Sequence, residues 1–420
     1  MSIYLAAIWS LGLLAIYLLL HRARFRPQRT PRYAGAIILT LALLVRLVPN
    51  VLVPAGDNYD MQSYQIVGSL VDNGQEVYRA TAGENRYPYL PFLLYWMGIA
   101  VRLSDLSGLP FAFVIRLLPI LADALIAFSI YWILAKKTSV LTGYFAGILY
   151  VFNPVTVFIS AYQGQFDPLA ALFVILAGVS LAAKPLLSGI TLGAGILVKS
   201  WPVLTYPSLI ANLVSWRKKL IFTAGMLAVP FLGILIYNLL FKANPIEVLL
   251  RALSYDRGAG IWGYTYLVRL VVQEGLQKHN LYSGYLSFAR YITLLFLFLV
   301  WWFKARFEDS YASILTMLLG FFVLTHAFAI QYLMWLVPFG LLTGAYTWTR
   351  RYTMAAFAYM FLVYFTLILS FKIGNLIPWP AADLWIIIPF GLPAWLVCIG
   401  WLVTRFRMPA EQVEPESRGV

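Results

Sequence analysis

Apolar runs of 16 to 24 residues recur along the whole chain, from 3–20 to 385–404, with charge confined to the gaps between them. A helix needs roughly 20 apolar residues to cross the hydrocarbon of a bilayer. Runs of that length at that frequency commit the chain to an all-α, polytopic helical bundle in a membrane. Charged residues make up 11% of the chain, where soluble domains carry about 25%. The net charge of +14 does not indicate nucleic acid, because Lys and Arg form short clusters between apolar runs, the form of an orientation signal. The one cysteine, Cys398, lies inside an apolar run and excludes an intramolecular disulfide. The run at 3–20 has no basic residue before it and five Arg after it, as in an uncleaved anchor with its N-terminus outside.

The basic clusters set an expected topology. Arg22, Arg24, Arg26, Arg29 and Arg32, Lys136 and Lys137, Lys184, Arg217 to Lys219, Lys304 and Arg306, Arg350 and Arg351, and Arg405 and Arg407 hold 17 of the 31 basic residues. Placing all of them in the cytoplasm predicts 13 crossings: 3–20, 34–53, 112–135, 139–160, 168–183, 186–199, 201–216, 220–241, 288–303, 311–329, 333–349, 353–371 and 385–404. Segment 89–103 is apolar but would invert every later loop if it crossed. It reads instead as an interfacial helix with belt aromatics Tyr89, Phe92, Tyr95 and Trp96. The pair 186–199 and 201–216 is short for spanning helices. It reads either as two crossings leaving a depression for an acyl tail or as a buried hairpin.

This topology divides the chain into an anchor helix and basic loop (1–33), a membrane module (34–240) with an external loop at 54–111, a second module (241–407) with an external loop at 242–287, and a polar tail (408–420). The external stretches collect 12 of the 17 acidic residues, Asp123 included. Function is therefore expected on the outer side. A loop as long as 54–111 usually exists for a functional reason.

Asp57 and Asp60 open that loop. An ionised Asp at the membrane edge can act as general base toward an attacking hydroxyl; a solvated loop carboxylate or a helix cap explains it equally. Two aspartates three residues apart could also share a divalent cation, although no other metal-ligand spacing occurs. In Gln163-Gly164-Gln165-Phe166-Asp167-Pro168, a helix start with Asp167 as cap accounts for Asp167 and Pro168. It does not account for Gln163 and Gln165, whose amides suit sugar hydroxyls. His326 near Gln331 and Tyr332 reads as a core histidine or as part of a site. Arg86, Lys199, Arg251, Arg257, Arg269 and Lys278 are external cations. Either they hold a lipid-borne phosphate, or long loops simply tolerate them.

In order along the chain, GDNYDMQSY, Tyr87-Pro88-Tyr89-Leu90-Pro91, Arg-Leu-Leu-Pro-Ile-Leu-Ala-Asp (116–123), GQFD after Asn153-Pro154, LVKSWP and QYLMWLVP (331–338) resemble the C-type (GT-C) glycosyltransferase superfamily. Within it the chain is similar to the mannosyltransferase that adds the first mannose of glycosylphosphatidylinositol anchors, and to bacterial polyprenyl-phosphate mannosyltransferases. The likeness covers about residues 34–340. It departs from those enzymes in DxxD for DxD, in the altered Tyr-Pro element, and in the extra helix at 3–20. The resemblance implies an inverting hexosyltransferase, mannose ahead of glucose, using a polyprenyl-phosphate sugar and a glycan, lipid or protein acceptor. It implies Asp57 or Asp60 as catalytic base, with Arg86, Tyr87, Gln163, Gln165, Asp167, Lys199, His326, Gln331 and Tyr332 binding substrate. The loops contain no Asn-x-Ser/Thr sequon, which favours a prokaryotic plasma membrane over an endoplasmic reticulum membrane. A transporter or flippase of a lipid-linked sugar is the alternative expectation.

Overall fold

The computed structural model describes residues 2–22, 24, 27–52, 59–81, 86–253, 259–372, 384 and 388–408. Apart from one isolated bridge between Ala259 and Ala327, these residues form helices and their connections. Among the described residues five helices are long and apolar enough to cross a membrane, and a sixth if one bent pair counts as a single span. Asp57, Glu84, Asp256, Arg257 and most of 373–387 lie outside the described residues. The chain divides into two compact units: Met1–Tyr206 with Leu213–Tyr255, and Pro207–Asn212 with Asp256–Val420.

The first unit begins with α1 (Ser2–Leu20), α2 (Ala34–Leu52), α3 (Tyr59–Asp72) and α4 (Val77–Ala80). It continues through α5 (Leu93–Ser107), α6 (Phe111–Ile115) and α7 (Leu117–Lys137). Glu76 caps α4 by accepting from the Tyr78 and Arg79 amides at 2.9 and 2.6 Å. The α5 helix, in the segment expected to be interfacial, buries Leu93, Leu94, Met97, Gly98 and Ala100, and Trp96 donates to the Ile115 carbonyl at 3.0 Å. The expected crossing at 139–160 is bent by 47° between α8 (Val140–Val151) and α9 (Pro154–Val157), which runs on through a π-turn to Tyr162. Asn153 causes the break by capping α9, and Pro154 cannot supply the amide that would continue α8.

Next come α10 (Asp167–Ser180), α11 (Pro185–Val198) and a 3-10 turn at Trp201–Thr205; the short α12 (Tyr206–Ala211) that follows is counted with the second unit from Pro207 on. The expected crossing at 201–216 is therefore replaced by short turns. Helix α13 (Trp216–Phe241) lies so close against α11 that a side chain at Gly189 or Gly193 would collide with the carbonyl of Phe222 or Met226. Small residues four apart permit this backbone approach, the usual means of packing helices in lipid. Each of α10 and α11 has 14 residues, or about 21 Å of helix, against a hydrocarbon core of about 30 Å. Helix α14 (Pro245–Leu253) ends the described part of this unit.

The second unit contains α15 (Gly263–Val268), α16 (His279–Phe303), α17 (Ser310–Leu324), α18 (Leu336–Leu342), α19 (Tyr346–Lys372) and α20 (Leu392–Arg407). Its core is aromatic. Trp262 stacks on Phe328 with centroids 4.0 Å apart and donates to the Phe322 carbonyl at 2.8 Å. Glu308 gathers Arg405 at 2.6 Å, Lys304 at 3.3 Å and the Thr316 hydroxyl at 2.5 Å, so one carboxylate draws on two of the basic clusters.

Candidate functional site

The turn that leads from the π-turn into α10 organises the polar centre of the first unit. The Gln163 amide donates to the Phe158 carbonyl and the Gln165 amide to the Ile159 carbonyl, at 2.9 and 3.0 Å. The chain then reverses through Gly164 at φ +70, where an added Cβ would lie 2.9 Å from Arg116 Cγ and 3.2 Å from Met61 Cε. Glycine meets both the conformation and the space.

The reversal directs Gln165 between two elements. Its Nε2 donates to Asp60 Oδ2 at 2.7 Å, and its Oε1 accepts from the Tyr64 hydroxyl at 3.1 Å and from Lys199 Nζ at 3.5 Å. Two donors on one side and a carboxylate on the other fix the orientation of the amide. Lys199 Nζ also meets Asp167 Oδ2 at 2.5 Å and lies 5.2 Å from the centre of the Tyr89 ring. Gln165 and Asp167 are fully buried, Lys199 is 3% exposed, and Asp60 is half-buried. The cluster thus has a sealed end at the Asp167–Lys199 pair and an accessible end at Asp60.

Two expectations change here. Asp167 does not cap α10, since the helix starts at Asp167 itself and the residue before it, Phe166, makes no side-chain cap bond; the carboxylate faces Lys199 instead. Lys199, expected to hold a phosphate, is already matched by Asp167. A buried cation beside a buried carboxylate is far less available to a second anion.

The other expected residues fall as follows. Arg86 lies 5.2 Å from the Tyr59 ring centre and donates to Ser63 Oγ at 3.3 Å, so it packs against the helix that carries Asp60. The Tyr87 hydroxyl donates to the Leu90 carbonyl and accepts from the Leu94 amide, bracing the entry to α5. Burial pushes its pKa up, so it stays a neutral donor. Gln163 is buried, and its Oε1 has no hydrogen-bond partner among the described residues. His326 and Thr293 (Nδ1 to Oγ1, 3.3 Å), Gln331, and Tyr332 stacked on Trp335 at 4.1 Å belong to the second unit. Of the loop cations, Arg269 pairs with Glu274 at 3.8 Å. Asp57 lies outside the described residues. Among the described residues no group of three metal-ligating side chains occurs.

Two buried features escape a sequence reading. Asp123 is not at a watery helix end; with Arg46 it forms a fully buried ion pair of 2.6 Å. Tyr150 and Ser160 add hydrogen bonds to Asp123 at 2.5 and 2.7 Å, and the carbonyls of Ala42 and Val151 accept from Arg46 at 3.2 Å. The second is Arg116, 1% exposed against the Gly164 turn. An Arg and an Asp inside two otherwise apolar helices were the available signal for the first.

No family model matches the chain, and no curated protein matches it.

Proposed function

We propose that the chain is a multi-pass membrane glycosyltransferase that moves a hexose, mannose ahead of glucose, from a polyprenyl-phosphate donor to an acceptor hydroxyl with inversion at C1. The observation supporting this is the convergence of three separate motifs, DNYD, GQFD and LVKSWP, on one hydrogen-bonded cluster with a half-buried carboxylate at its open end. In this reading Asp60 is the general base. It takes the proton of the acceptor hydroxyl as that oxygen bonds to C1 and the bond from C1 to the phosphate oxygen breaks, releasing the lipid phosphate. Gln165 is a positioning residue that orients the carboxylate, and the Asp167–Lys199 pair fixes Gln165. Arg86, which donates to Ser63 Oγ one turn along from Asp60, is assigned the role of steadying the charge on the sugar phosphate. A multi-pass arrangement with the cluster on the extracytoplasmic face of a prokaryotic plasma membrane is part of this proposal.

The transporter reading gains one specific observation, the Arg46–Asp123 pair between apolar helices, since intramembrane charges often mark transport pathways. Purified protein given a labelled polyprenyl-phosphate sugar separates the two. Release of free polyprenyl phosphate with a glycosylated acceptor supports transfer; lipid movement across a vesicle without release supports transport and overturns the enzyme assignment.

A further inference from the structure

Helix α14 (Pro245–Leu253) turns its apolar face away from the protein that carries it. Ile246, Leu249, Leu250 and Leu253 are 66%, 45%, 58% and 62% exposed. Their spacing puts all four within an arc of about 100° around the helix axis. Val248, on the opposite side, is 1% exposed. Glu247 reaches back to Arg79 of α4 at 3.4 Å. The helix therefore docks on the protein through its smaller apolar side chain and one ion pair, and leaves its four largest apolar side chains uncovered. A contiguous apolar surface of that kind marks an interaction site.

The place of α14 in the chain argues for lipid as the cover. Helix α13 (Trp216–Phe241) is one of those long and apolar enough to span a membrane, and near its end Leu235, Ile236, Leu239 and Leu240 are exposed. Only Lys242, Ala243 and Asn244 separate it from α14. Lys242 closes α13 in the left-handed conformation at φ 53, with its amide donating to the Asn238 carbonyl at 2.7 Å. Asn238 Nδ2 donates to the Ala243 carbonyl at 2.8 Å, and Asn244 Oδ1 accepts from the Ile246 amide at 3.0 Å. The turn is short and braced by its own side chains, so α14 starts at the level where α13 ends.

Aromatic rings mark the same level. Tyr237 stacks on Phe241 with centroids 4.7 Å apart, Tyr78 lies 5.3 Å from Tyr237, and Tyr95 lies 6.4 Å from Phe241. Tyrosines gathered round the end of a span have the form of a membrane-interface belt. The Tyr237 hydroxyl also ties α4 to this end of α13, accepting from the Val77 amide at 2.8 Å and donating to Glu76 at 3.1 Å.

We propose that α14 lies in the surface of the bilayer, with Ile246, Leu249, Leu250 and Leu253 in the boundary between headgroups and acyl chains, and that its partner is this lipid surface rather than another protein. A helix with one apolar arc and a polar opposite side binds that boundary through the apolar area it buries, about 5 to 10 Å deep. The end of α13 brings the helix to the boundary, and the uncovered face supplies the area. Helix α14 then moors α4, and the loop that carries it, at the membrane surface. This mooring holds whatever reaction the protein catalyses.

Spin labels read the arrangement directly. Cys398 is buried, so a nitroxide attached to Leu250→Cys or to Glu247→Cys reports from α14 of the full chain in nanodiscs of phosphatidylcholine and phosphatidylglycerol. The label at 250 should collide several-fold more often with oxygen, which concentrates in lipid, than with a water-soluble nickel chelate, and the label at 247 should show the reverse preference. Equal access of the nickel chelate to both positions puts the apolar face in water and overturns the proposal. A label at 250 that is immobilised and shielded from both reagents puts that face against protein, a second copy included, and also overturns it. The double variant Leu249→Gln with Leu250→Gln tests the mooring without a label, and its fold should hold because both side chains point away from the protein. Hydrogen exchange at the α14 amides in nanodiscs should speed up several-fold while the α10 amides keep their rates. Unchanged exchange in α14 of the folded double variant overturns the mooring.

Discussion

The first unit holds two polar clusters built from the same kinds of group, and they are finished differently. At Arg46–Asp123 both charges are fully buried, and the carboxylate collects three donors while the guanidinium reaches two carbonyls and Thr156. At Asp60–Gln165–Lys199 one end is sealed by an ion pair and the other ends in a half-buried carboxylate. A closed network in an apolar surrounding fixes helices against each other, and it has no room for a substrate. An open network keeps a reactive group oriented at a boundary, where a substrate can arrive.

The comparison is broken most directly at the open end. Asp60→Asn keeps the shape and the hydrogen bond to Gln165 but removes the base, so sugar transfer should fall about 100- to 10,000-fold. The thermal midpoint should hold, as read from activity and melting of the same preparation. At the closed cluster the opposite is expected. Asp123→Asn or Arg46→Met leaves a buried charge without its partner and should cost about 3 to 5 kcal/mol of stability, while transfer per folded molecule stays near wild type. Large activity loss without destabilisation at Asp123 would dissolve the distinction and favour the transport reading.

Lys199→Met sits between the two cases. It should destabilise by about 3 kcal/mol because the buried Asp167 carboxylate loses its cation, and the double variant with Asp167→Asn should recover part of that loss. Because Lys199 acts through Gln165, transfer should fall in kcat with KM little changed. The smallest effect is expected at Tyr64→Phe, which removes one hydrogen bond to Gln165 worth about 1 kcal/mol. Transfer should drop only a few-fold, measurable against Gln165→Ala as the upper limit.

What could be read from sequence tracks the range of the interactions. Apolar length placed α1, α2 and α13 within a few residues, while α7 and α20 start later than expected, at Leu117 and Leu392, and α16 starts earlier, at His279. Breaks were missed where a local capping residue outweighed hydropathy, as at Asn153-Pro154. Gln165 and Asp60 were both named as candidates, yet their contact joins residues 105 positions apart. The pairing of Lys199 with Asp167 over 32 positions, and of Arg46 with Asp123 over 77, depends on which helix faces meet. No local pattern carries that information, and so Lys199 looked like a free cation, while Arg116 entered only as the start of a motif and its burial did not show.

The central claim is that Asp60 is the base of a sugar transfer. Its most direct test is the release of polyprenyl phosphate from labelled polyprenyl-phosphate mannose by purified wild-type protein and by Asp60→Asn in the presence of an acceptor lipid. The account predicts release with an inverted product by the wild type, and at least a 100-fold loss in the folded variant. Equal release by both proteins would contradict it.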